Sequence, residues 1–185
     1  MTDRLAAIAE RMETVHQLGA VVTAMRGIAA ARRNEADARL EAVRAYAATV
    51  GDAIGTALAL ATPMAAPPGQ ASEARRIVIL IGAEQGFAGP FGDRALDAGQ
   101  AALAEAGAVA ELMLLGSRTR MLAEARDLDA VWSDAMPLHV REAAATAGRV
   151  AEALYARVAA HGTDRVTLVH AVPESGRLPN FECRR

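Results

Sequence analysis

From Asp3 to Ala61 the chain contains no proline, and over that stretch its apolar residues recur at the spacing of one helical face. Leu5, Ile8, Met12, Val15, Leu18, Val22, Met25 and Ala29 fall three or four residues apart, and Ala36, Leu40, Val43, Ala47, Val50, Ile54 and Leu58 keep to fours and threes. Side chains at these separations are neighbours on a helix, and the second run has the spacing of a seam that winds around a partner helix. The pattern predicts one helix over 1–61, about 90 Å long at about 1.5 Å per residue. That is several times the radius expected for a domain of this size, so the helix should project. Each sizeable apolar side chain contributes about 1.5 to 3 kcal/mol when buried, which gives such a helix a strong demand for a partner.

Composition narrows what that partner can be. The chain is 52% hydrophobic and 23% charged, as folded domains are, with 3% aromatics, abundant alanine and no lysine. A formal charge of −2 and the lack of an aromatic platform argue against nucleic acid. The single cysteine, Cys183, excludes an internal disulfide or a thiolate metal cluster and fits a reducing compartment. The longest uncharged run, Ala53 to Ser72, holds Gly55, Pro63, Pro67, Pro68 and Gly69, so no membrane span is expected. The start Met-Thr-Asp-Arg-Leu leads into amphipathic helix, not an apolar signal core, and a cytoplasmic protein is expected.

Along the helix the character changes. Between Thr14 and Arg33 there is no acidic residue, and Gly19, Ala20, Ala24, Gly27, Ala29, Ala30 and Ala31 make the surface narrow around Met25. Two glycines inside a helix cost about 1 kcal/mol each, which close packing or function has to offset. Arg26, Arg32 and Arg33 form the one clear charge asymmetry, suited to an acidic protein surface. Beyond Arg33 the charges mix. A Pro/Gly-rich linker is expected over 62–75, because three prolines within six residues cannot continue a helix.

The remainder alternates strand and helix. Ile77 to Ile81 reads as a strand buried on both faces, followed by the loop Gly82 to Gly92 and a helix from Asp93 to Ala106. Val109 to Leu115 is a second strand, with Ser117 as the N-cap of a short helix to Arg126. Leu128 to Trp132 is a third strand, Leu138 to Ala160 a helix, and Val166 to Val172 a further strand. The fold class is therefore α/β: a long N-terminal coiled-coil helix, then a Rossmann-like three-layer α/β domain over 76–173 with a mainly parallel sheet, and a C-terminal tail over 174–185.

The loop after the first strand is where such a fold binds a phosphate. Gly86, Gly89 and Gly92 have the wrong spacing for a dinucleotide, Pro90 removes a backbone donor, and there is no lysine for a Walker-type loop. His16, His139, His161 and His170 are scattered without metal-ligand spacing, and Ser117 and Ser175 lack a nucleophile-elbow context. No catalytic residue, cofactor site or metal site is expected.

The sequence resembles the gamma subunit of rotary F-type ATP synthases, the shaft that turns inside a collar of alternating alpha and beta subunits. Thr23-Ala24-Met25-Arg26-Gly27-Ile28-Ala29-Ala30-Ala31-Arg32-Arg33 is similar to the family's Lys-Ala-Met-x-Met-Val-Ala-Ala-x-Lys, and Arg44-Ala45-Tyr46-Ala47 resembles Arg-Pro-Tyr-Ala. Ala83-Glu84-Gln85-Gly86-Phe87-Ala88-Gly89-Pro90-Phe91-Gly92 resembles Ser-Asp-Arg-Gly-Leu-Cys-Gly-Gly-Phe-Asn. Leu114 to Arg118 is a weaker echo of Ile-Gly-Ser-Lys. Thr23 stands where the family has lysine, Gln85 where it has arginine and Ala88 where it has cysteine, so part of the usual positive charge is missing. The resemblance also implies a long C-terminal helix, antiparallel to the first, that would follow Arg185.

By this resemblance the chain is expected to be a non-catalytic rotor-shaft subunit that couples ion translocation to ATP synthesis or hydrolysis on other subunits. Thr23, Met25, Arg26, Arg32 and Arg33 should meet the collar, and Gln85, Gly86, Phe87, Ala88 and Gly89 the lower parts of the beta subunits. The α/β domain should touch the epsilon subunit and the membrane c-ring, peripheral to the cytoplasmic face of a bacterial inner membrane. By itself the chain should either self-associate through its first helix or leave the distal part of that helix frayed. Two alternatives stand beside this one: a small-molecule-binding α/β domain with a helical dimerisation arm, which needs a polar pocket beside Gly82 to Gly92, and a coiled-coil adaptor.

Overall fold

A computed structural model describes residues 2–60, 75–107, 109–173 and 179–184. It divides into two compact units, 1–66 and 67–185. The expected linker over 62–75 lies outside the described residues except for Arg75.

The first unit is a single helix, α1 (Thr2–Leu60), 59 residues without a break. Four threonines in it, Thr14, Thr23, Thr49 and Thr56, donate their hydroxyls to the carbonyl four residues earlier at 2.9–3.1 Å. A hydroxyl turned back on its own helix competes with nothing outside it, so these threonines do not interrupt the run. Among the described residues of this unit no second element packs on α1. Leu5, Ile8, Met12, Val15, Leu18, Val22 and Met25 are all exposed.

The second unit is a five-stranded sheet between helices. In chain order it runs β1 (Arg75–Ile81), α2 (Phe91–Ala106), β2 (Ala110–Leu115), α3 (Ser117–Glu124), β3 (Trp132–Asp134), a single 3-10 turn (Val140–Glu142), α4 (Ala143–His161), β4 (Thr163–Val172) and β5 (Asn180–Arg184). The strand order is β3-β2-β1-β4-β5. Ile79 lies level with Met113 of β2 and Leu168 of β4, both parallel to β1, and Met113 is level with Trp132 of β3. β5 alone is antiparallel, with Glu182 opposite His170.

Alternation along β1 builds the core on both faces. Val78 and Leu80, with Leu112, Leu114 and Val169, pack against Ala95, Leu96 and Ala102 of α2 and Ala123 of α3. Ile77 and Ile79, with Met113, Val166 and Leu168, meet Val150, Ala153 and Leu154 of α4. A strand covered on both faces needs apolar side chains at every position, which is why Ile77 to Ile81 shows no polar alternation.

Several expected boundaries move. The third strand forms at Trp132–Asp134 instead of 128–132, because Leu128 and Ala130 turn into the core from a loop, and pairing starts only where the Val131 N–H reaches Leu112 O at 2.8 Å. The last helix begins at Ala143 instead of Leu138, since His139 is extended. The stretch 174–185, expected as a tail, supplies β5, pinned to α2 by Phe181 against Phe91 with ring centroids 5.3 Å apart.

Candidate interaction surfaces and the filled ligand edge

At the carboxyl end of β1 the chain makes its closest approach to the turn after β2. The Gly82 N–H donates to Leu115 O at 2.8 Å, Thr119 N–H to Ala83 O at 3.1 Å, and Ala83 N–H to Thr119 Oγ1 at 2.6 Å. Thr119 is fully buried, and a Cβ at Gly82 would overlap its side chain. Gly116 has φ +113, and a Cβ there would lie 2.6 Å from Ala83 O. Both positions require glycine for reasons of space, and the second for conformation also.

Glu84 then occupies the edge where an anion would otherwise sit. Its carboxylate accepts the Ser117 N–H at 2.9 Å, the Ser117 hydroxyl at 2.8 Å and the Met136 N–H at 2.9 Å. Ser117, expected to cap α3, is instead the helix's first residue, and its N–H is taken by the Glu84 carboxylate 33 positions earlier. Burial pushes the Glu84 carboxyl up and the charge of Asp134 adds to that, but the two N–H groups and the hydroxyl outweigh them and hold it below its ordinary range. An internal carboxylate thus uses donors that a phosphate would need.

Two further ion clusters tie the sheet to its helices. Asp134 is held below its ordinary range chiefly by its bond from Arg149 of α4, against burial, with help from the Ala135 N–H. Buried Glu111 accepts from both Arg75 and Arg157, the latter at 3.2 Å. Sequence reading missed Glu84, Asp134 and Glu111 as organising residues. For Glu84 a signal existed: it is the one charged residue between Arg76 and Asp93.

The residues assigned to partner contact fall into two groups, one in each unit. Gln85, Gly86, Phe87, Ala88 and Gly89 are all exposed on the loop beyond Glu84, with Phe87 74% accessible. On α1, Thr23, Met25, Arg26, Arg32 and Arg33 are exposed as well. Their charge differs in one respect from the sequence reading, for Arg33 Nε lies 3.5 Å from Asp37 Oδ2 one turn on. Arg26 and Arg32 have no carboxylate partner among the described residues. Among those residues there is also no group of three His, Cys, Asp or Glu able to hold a metal, and no helix long and apolar enough to cross a membrane. The polar pocket that the small-molecule alternative needed beside Gly82 to Gly92 meets, at that edge, the Glu84 carboxylate.

Fold and surface together give a long helix with an exposed apolar stripe, followed by an α/β unit in which the Glu84 carboxylate takes the polar donors at the sheet edge. The family model described as ATP synthase matches residues 4–181. The chain is 28% identical over 124 residues to the ATP synthase gamma chain of Moorella thermoacetica, across 66% of this chain and 44% of that protein. It therefore spans less than half the length of that relative. The chain belongs to the ATP synthase gamma-subunit family, a family of non-catalytic stalk subunits.

Proposed function

We propose that this chain acts in the central stalk of an F1-type ATP synthase, carrying torque between ion translocation in the membrane and nucleotide sites on other subunits. The observation that carries this reading is the family match over residues 4–181, which takes in both the helix and the α/β unit. The physical features agree with it. A shaft has to be stiff, and α1 is continuous over 59 residues. It must also turn past its collar without interlocking, and Gly19 to Ala31 offer small side chains around Met25.

On this proposal Thr23, Met25, Arg26, Arg32 and Arg33 face the alpha and beta subunits, and Gln85 to Gly89 meet the beta subunits lower down. The α/β unit contacts the epsilon subunit and the c-ring, peripheral to the cytoplasmic face of a bacterial inner membrane. Co-expression with alpha and beta subunits from the same organism tests it. A stoichiometric complex that survives gel filtration, with ATP hydrolysis confined to the other subunits, is the expected result. A chain that elutes apart from an intact alpha-beta assembly would overturn the proposal.

A further inference from the structure

Between α4 and the sheet, toward the carboxyl ends of β1 and β2 and beside the middle of β4, lies a partly open cavity of about 380 Å³. Its sheet wall is Ile79, Ile81, Leu115 and Leu168, and Met136 and Pro137 flank it. The helix wall is set by Ala143, Ala147 and Ala151, spaced by four and so aligned on one face of α4. Alanines in a row normally let a helix approach its neighbour closely. Here Val150 and Leu154 of the same helix meet the sheet, and the alanines beside them line an opening. Thr146 is the only hydroxyl in a lining that carries no charged side chain.

The position is significant for a doubly wound sheet. The connections from β1 and β2 pack on one face and α4 on the other, so the chain reverses beside β1 and β4, where such sheets bind ligands. The polar side of this edge is taken by Glu84, which leaves the apolar side available. Glu84 also fixes the Met136 backbone at the cavity's flank, so that wall is preformed. Volumes of about 300–1,000 Å³ are those of small-molecule sites. An apolar occupant takes its own surface and that of these walls out of water, which favours binding.

We infer that this cavity is a binding site for a small, uncharged, largely apolar molecule, taken up by the α/β unit independently of any stalk function. A charged ligand would lose its hydration with no counter-charge in the lining, and a nucleotide is excluded on the same ground. The probe is N-phenyl-1-naphthylamine, uncharged and fluorescent in apolar surroundings, titrated into the full chain. Saturable one-to-one binding is expected, with methyl NMR shifts at Ile79, Ile81 and Leu168. Ala151→Leu and, separately, Ala147→Leu fill the opening and should weaken binding by on the order of tenfold or more. Met12→Gln with Val15→Gln, on the exposed face of α1, should leave it unchanged. Binding that follows the α1 changes and ignores both alanine variants would overturn the inference, as would the lack of saturable binding. Unmoved methyl signals at the three sheet positions would do the same, even if an alanine variant failed to fold.

Discussion

Val78, Leu80 and Leu96 in the α/β unit have no accessible surface, whereas Leu5, Ile8, Met12 and Val15 in α1 each keep more than half of theirs. The residue types are alike, and the destination of their surface is not. The α/β unit satisfies itself: strands covered on both faces, and Glu84, Glu111 and Asp134 supplied with donors from distant positions in the chain. α1 satisfies its backbone but leaves its apolar stripe for something else. Helices draw most of their stability from packing of such a face, so the stripe is a commitment to a partner, while the sheet commits only to its own fold. Each unit also carries its own probe. Trp132, the sole tryptophan, lies in the α/β unit, and α1 supplies the largest share of helix.

The largest expected effect comes from Gly82→Val. The new side chain collides with buried Thr119, whose hydroxyl is already engaged by Ala83, so neither neighbour has room to move. Overpacking of this kind costs about 3 kcal/mol, a large part of the roughly 5–15 kcal/mol that holds a domain together. The melting transition followed by Trp132 fluorescence should fall by about 10–20 °C. The circular dichroism of α1 should be retained through that transition. Coincident loss of both signals would show that the two units unfold as one, and the contrast drawn above would fail.

Next comes Glu84→Ala, which strands three donors and should cost about 2–3 kcal/mol. The same carboxylate makes stability depend on acid. Its folded pKa lies below the ordinary 4.5, so its contribution is complete above 4.5 and is lost as pH falls through the folded value. In a pH series below 4.5 monitored by Trp132, Glu84→Gln should start less stable and show a shallower decline. An equally steep decline in the variant would mean that another group dominates acid unfolding.

How far these features were legible in the sequence follows from the range of the interactions involved. α1 and β1 could be read because their signals are local: fours and threes without proline, and a β-branched run ended by glycine. The role of Ser117 could not, since its partner is Glu84, 33 residues away, and a serine after a glycine looks the same whether it caps a helix or bonds a carboxylate. A signal for β5 existed, since Phe181 and Cys183 alternate with polar Asn180, Glu182 and Arg184, but the run is only five residues long, and pairing with β4 is what makes it a strand. The loop after β1 is legible from its glycines, and Gln85 to Gly89 in it are exposed, while the role of the adjacent Glu84 depends on Ser117 and Met136, 33 and 52 residues away. The cavity under α4 was invisible, as alanine spacing alone does not distinguish close approach from a gap.

A smaller effect is expected in α1 itself. An exposed apolar stripe of this length favours association, so the 185-residue chain should self-associate through α1. Replacing Met12, Val15 and Leu18 with glutamine should shift sedimentation toward monomer, leaving the Trp132 transition where it was. A wild-type chain that is monomeric at high micromolar concentration, with strong amide protection from Leu5 to Val22, would show the stripe to be covered already.

The smallest effect separates the three arginines from one another. Arg33 already faces Asp37, an exposed i,i+4 pair of a kind worth about 0.3–0.5 kcal/mol, so part of its field is neutralised within the helix. Arg26 and Arg32 are not paired among the described residues, and their charge remains for an acidic surface on a partner. Screening over about 8 Å at physiological salt keeps each contribution small. Accordingly Arg33→Gln should change affinity for an alpha-beta assembly least, and Arg26→Gln with Arg32→Gln should weaken it severalfold at low salt. Their effect should fade as salt is raised, with α1 helicity and the Trp132 transition unmoved throughout. If Arg33→Gln proved as damaging as the other two together, contact geometry at that position, and not the charge left over from the helix, would govern how α1 meets its partner.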